Sequence, residues 1–181
     1  MTAPPAVELP GLPETVEAFV ALQAKVARTP QGGAAIMVAA LWLAATDEET
    51  GHQALAVAVD RSRLQPGSDG FDGWRLGNRD QQLIRSQVGG RAYLLQSYLA
   101  GATPENGYRL PEPPYGITCT SNPYSGDPDS GQVKLFVASS GADSPRPVTL
   151  RRGEDGLWRT AEWSSLLLGV REPVDPQTSA E

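Results

Sequence analysis

At 181 residues, with 40% hydrophobic and 20% charged side chains, the chain has the size and balance of one globular domain, which excludes the fibrous and wholly disordered classes. A net charge of −6 argues against a partner bound by phosphate neutralisation, so no nucleic acid is expected. The lone cysteine, Cys119, rules out an intramolecular disulfide framework, and the longest apolar run, Ala34 to Ala45, is twelve residues where a bilayer span takes about 20.

Met1 to Pro13 contains four prolines and lacks the basic region and apolar run of a signal peptide, so it is expected to be a loose tail. Glu172 to Glu181 is expected to be its C-terminal counterpart. A single domain spans 14–171 between them, in a protein expected to be cytoplasmic and free of the membrane. Val16, Phe19, Val20 and Val26 recur at helical spacing and predict a first helix that stops before Pro30. Gln31-Gly32-Gly33 reads as an interhelix joint before a second, buried helix to Ala45. Thr46-Asp-Glu-Glu49 is a capping-box pattern opening a third helix through Leu55 and Val59.

Ser62 to Gly77 turns to Gly, Asp, Ser and Pro and reads as a long loop anchored by Phe71 and Trp74. Asn78 begins a fourth helix that Gly89-Gly90 ends, and Tyr93, Leu94, Ser97 and Tyr98 mark a short fifth. The helical half thus runs over 14–101. In the second half, 115–171, strands are predicted at Ile117–Ser121, Val133–Ser139, Val148–Arg152 and Leu157–Trp163. The last two flank the hairpin turn Gly153-Glu-Asp-Gly156. Helices first and antiparallel strands afterwards define an α+β fold, with the helical layer on one face of a sheet of three to four strands.

His52 is the only histidine, so any Ser-His-Asp or Cys-His nucleophile system must use it. It falls on the apolar face of its helix, three and seven residues before Leu55 and Val59, where a packed or capping role is ordinary. Cys119 alternates with Ile117 and is expected inside the sheet as a small hydrophobe. One His and one Cys cannot fill a tetrahedral metal shell, and no phosphate-cradle motif or nucleophile elbow is present. The acidic pairs Glu48-Glu49 and Glu154-Asp155 fall at a helix start and a hairpin tip, where capping and solvation explain them. No catalytic residue, metal or cofactor is therefore assigned.

Ser139-Ser-Gly-Ala-Asp-Ser-Pro-Arg-Pro147 joins two predicted strands. Pro145 and Pro147 should hold Arg146 extended, with Ser140, Asp143 and Ser144 as hydrogen-bonding neighbours. Asn122, Tyr124 and Tyr108 lie among the prolines at 111, 113, 114 and 123, and aromatics on stiff loops suit protein contacts. These seven are the candidate binding residues.

Tyr98-Leu-Ala-Gly-Ala-Thr-Pro-Glu-Asn-Gly-Tyr108, Asn122-Pro-Tyr124, Val133-Lys-Leu-Phe-Val137, the Ser139–Pro147 loop and Leu168-Gly-Val-Arg-Glu-Pro173 together resemble an uncharacterised bacterial family, a domain of unknown function, over most of 36–173. The resemblance implies a bacterial cytoplasmic origin and brings no activity. The leading expectation is a non-catalytic protein-binding or assembly module, an adaptor in a larger complex whose partner is another protein. The alternatives are a small enzyme or small-molecule domain with a pocket between helices and sheet, and a toxin-neutralising immunity protein.

Overall fold

The computed structural model describes residues 6–174. Five helices, α1 (Val16–Val26), α2 (Pro30–Thr46), α3 (Glu48–Ala58), α4 (Asn78–Val88) and α5 (Tyr93–Gln96), precede the main sheet. That sheet has the antiparallel order β5-β6-β7-β8, from Cys119–Thr120, Gln132–Val137, Arg146–Arg152 and Trp158–Glu162. Two smaller ribbons complete the α+β fold: β1 (Val7–Leu9) pairs with β4 (Tyr115–Ile117), and β2 (Leu64–Phe71) with β3 (Trp74–Leu76).

The helix boundaries follow from local chemistry. Thr15 caps α1 by accepting from the Ala18 N–H, and Thr29 caps α2 by accepting from the Gly32 N–H. Pro30 occupies the first turn of α2, where its missing N–H costs nothing. Asp47 both ends α2, its N–H donating to the Leu43 carbonyl, and caps α3 by accepting from the Thr50 N–H at 3.2 Å. The cap is therefore Asp47, one residue beyond the Thr46 of the capping-box reading. Gly32 and Gly33 are not a joint: they lie inside α2 and are fully packed.

The helix α2 is the centre of the molecule, buried from Gly32 to Leu43. A helix apolar on every side has to be enclosed by other elements. Here α1, α3 and α4 surround it, and the inner face of the sheet receives it through Val133, Leu135, Val137, Val148 and Leu150. The outward alternates on β6 and β7 are Lys134, Phe136, Pro147, Thr149 and Arg151, of which Phe136 pairs with Pro147.

Two further expectations need correction. Residues 62–77 are not a loop: most of them form the β2–β3 hairpin, which packs on α3 with a register shift between Pro66 and Phe71. The expected N-terminal tail contains β1, because pairing with β4 satisfies its backbone while Leu9 enters the core at 1% exposure. Residues 1–5 and 175–181 of the two expected tails lie outside the described residues.

Candidate functional site

The residues singled out in the sequence separate into two groups. Most of the Ser139–Pro147 segment belongs to a clasp on the C-terminal stretch. Arg146 opens β7 opposite Val137, and its Nη2 donates to the Leu168 carbonyl at 2.8 Å. The hydroxyl of Tyr108 donates to the Arg171 carbonyl at 2.5 Å, and that of Tyr98 to the Leu166 carbonyl at 2.6 Å. Burial pushes both phenols above their ordinary pKa. The Ser140 hydroxyl donates to the Ala102 carbonyl at 2.7 Å, while exposed Asp143 faces Arg171 at 3.5 Å.

Two members of this group are thus placed differently from expectation. Tyr108 is not displayed but is 1% exposed and stacked on Tyr93 with ring centroids 5.6 Å apart. Arg146 is extended, as its flanking prolines require, yet the extended chain pairs with β6 and turns the guanidinium to the Leu168 carbonyl. Ser144 is exposed at the tip of the segment.

The second group is Asn122 and Tyr124. The Asn122 side-chain oxygen accepts from the Tyr124 N–H at 2.8 Å, and the Asn122 N–H donates to the Ser125 hydroxyl at 2.9 Å. The Ser125 carbonyl then accepts from the Lys134 N–H of β6 at 2.8 Å. On this pinned turn Tyr124 is 92% exposed. It does not join the clasp: the turn is bonded at Lys134, whereas Arg146 lies opposite Val137 at the end of β6.

A third place was not read from the sequence. A cleft of about 600 Å³ lies between α3 and α4, at the C-terminal end of α2. Glu48, His52 and Leu55 recur along one face of α3, and Gln81, Ile84 and Arg85 along one face of α4. Arg85 reaches across to Glu48 with Nε and Nη2 both 2.6 Å from Oε1. His52 Nε2 lies 3.2 Å from Asp69 Oδ2, and the other oxygen of Asp69 lies 2.7 Å from Arg75 Nε.

Partial desolvation raises the Asp69 carboxyl, but its own backbone N–H, the Arg75 guanidinium and His52 outweigh it, so the group titrates below its ordinary value. An ionised Asp69 accepts only, which puts a proton on His52 Nε2. The sequence signal was the spacing of Glu48, His52 and Leu55. The partner of His52 was hidden because it sits in the hairpin read as a loop.

Cys119 shares no hydrogen bond with His52; it is buried in β5, and burial pushes its thiol up to about 12. Among the described residues no three His, Cys, Asp or Glu side chains gather as a metal set. No described helix is long and apolar enough to cross a membrane.

The fold and these sites define a helix-on-antiparallel-sheet domain with a clasped C-terminal segment, a displayed tyrosine and a lateral cleft. Residues 11–174 match the family described as Domain of unknown function (DUF6935), and the chain belongs to that family. The match extends beyond the 36–173 over which the motif words suggest a resemblance and takes in α1 and all of α2. No curated protein and no solved structure matches the chain.

Proposed function

We propose that this protein is a non-catalytic binding module of a bacterial cytoplasmic complex, docking on another protein through the Tyr124 turn and the outer face of the sheet beside it. The observation that carries the reading is Tyr124, a large amphipathic ring at 92% exposure on a backbone held by three hydrogen bonds. A rigid, exposed tyrosine buries much area at small entropic cost, which is the usual chemistry of an interface anchor. Phe136 beside Pro147 supplies an apolar neighbour on the outer face, with Lys134 Nζ 5.8 Å from the Phe136 ring centroid.

Capture of the tagged protein from its own cells, beside folded Tyr124→Ala and His52→Gln variants, tests this. The expected result is one stoichiometric partner, lost with Tyr124→Ala and kept with His52→Gln. No partner, or one indifferent to Tyr124→Ala, overturns the proposal.

A further inference from the structure

The side chains that line the α3–α4 cleft differ in what they leave free. Most of its side-chain donors are turned to the protein: His52 Nε2 to Asp69, Arg85 Nε and Nη2 to Glu48, Gln81 Nε2 to the Leu76 carbonyl at 2.5 Å, and the Thr46 hydroxyl to the Trp42 carbonyl at 3.2 Å, which among the described residues leaves Arg85 Nη1 as the free cationic donor. Among the described residues, the Glu49 carboxylate, the Gln81 side-chain oxygen and His52 Nδ1 have no hydrogen-bond partner, and in the neutral imidazole Nδ1 is an acceptor. What the cleft offers a ligand is therefore mainly lone pairs.

Its charge agrees. Glu48 and Arg85 cancel, as do Asp69 and Arg75, which leaves Glu49 unbalanced. The last residues of α2, Ala44 to Thr46, also line the cleft, and the carbonyl end of a helix carries partial negative charge. The opposing positive end of α3 is already covered by Asp47, whose carboxyl is held below its ordinary value first of all by the Thr50 hydroxyl and then by the Thr50 N–H. Ala44, Ala45, Leu55 and Ile84 give the space an apolar lining, and about 600 Å³ is within the size range of small-ligand pockets.

We infer that this cleft binds a small organic ammonium ion, its N–H groups on Glu49, Gln81 and His52 and its apolar group over Leu55 and Ile84. The site is independent of the Tyr124 surface. Acceptors with one unbalanced carboxylate favour an ammonium over an alcohol of the same shape, and both over a carboxylate.

The single histidine makes the test direct, because tag-free protein gives one imidazole Hε1 resonance in the NMR spectrum. Benzylamine, benzyl alcohol and benzoate, matched in size, are titrated at pH 7.5. The expected result is a saturable shift with benzylamine, a much weaker one with the alcohol and none with benzoate. Glu49→Gln, an exposed change that leaves the core intact, should weaken benzylamine by roughly five-fold. Equal response to the three probes, a preference for benzoate, no saturation, or an unchanged benzylamine affinity in Glu49→Gln overturns the inference.

Discussion

Gly32 and Gly33 show how much one absent methyl group determines here. Neither has an unusual backbone; each is a glycine because a neighbour occupies the place of its Cβ. At Gly32 that neighbour is the Val26 carbonyl, and at Gly33 it is the Trp158 backbone, whose oxygen lies 2.7 Å from the Cβ position. The close approach is what lets the Trp158 N–H reach the Ala27 carbonyl at 2.8 Å, tying the α1–α2 corner to β8. Alanine is better than glycine in an isolated helix by about 1 kcal/mol, whereas overpacking a tight contact costs about 1–3 kcal/mol. The rigid Trp158 backbone lets the steric effect win, so Gly33→Ala is expected to lower stability by up to about 2 kcal/mol in urea titrations. A rise in the urea midpoint would show that α2 and β8 have room to separate and that propensity decides.

The β7–β8 hairpin is an element whose turn the residues declared and whose electrostatics only the structure supplies. Gly156 takes the left-handed φ of 81° that the turn requires, and Asp155 accepts from the Leu157 N–H at 3.1 Å. Arg159 grips both oxygens of Asp155, at 3.0 and 2.8 Å, and this hydrogen bonding is the main reason that the carboxyl titrates below its ordinary value. A carboxyl depressed in the folded state stabilises above its unfolded pKa of about 3.9, and that contribution is lost as pH falls through the folded value. With Asp155 half exposed, the contribution is worth under about 1 kcal/mol. Wild type should exceed Asp155→Asn by that margin in urea at pH 7 and lose the advantage as pH falls below the unfolded pKa of about 3.9 and through the lower folded value. An advantage independent of pH would assign the effect to turn geometry instead.

The contrast with β2–β3 explains what was legible. Leu64-Gln-Pro-Gly-Ser-Asp-Gly-Phe71 has few β-formers, and its strand character comes from pairing with Trp74–Leu76 and packing on α3, both set by tertiary structure. The helices and the main sheet were readable because caps, periodicity and turn residues act locally. The candidate site was less so: the turn that exposes Tyr124 is held by Asn122, Ser125 and Lys134, while Tyr108 and Arg146 found carbonyl partners 63 and 22 residues along the chain.

At the scale of the molecule, β1 is an element held almost entirely by long-range contacts. Val7 pairs with Ile117 and Leu9 with Tyr115, so the strand joins the start of the domain to the point where the helical half gives way to the stranded half. It also contacts α2, the enclosed helix, so its burial contributes to the same core as the sheet. Composition alone assigned this stretch to a tail, because three strand residues among prolines carry no periodicity. Leu9 distinguishes the two descriptions. In a tail, Leu9→Ala changes stability by less than about 0.5 kcal/mol; in a core strand, removing a fully buried leucine costs about 2–5 kcal/mol, with the lower part expected at a short ribbon. Urea unfolding of Leu9→Ala should therefore show a loss of roughly 2–3 kcal/mol at an unchanged slope. A loss below about 0.5 kcal/mol would mean that β1 detaches without consequence and that α2 is enclosed by the remaining elements alone.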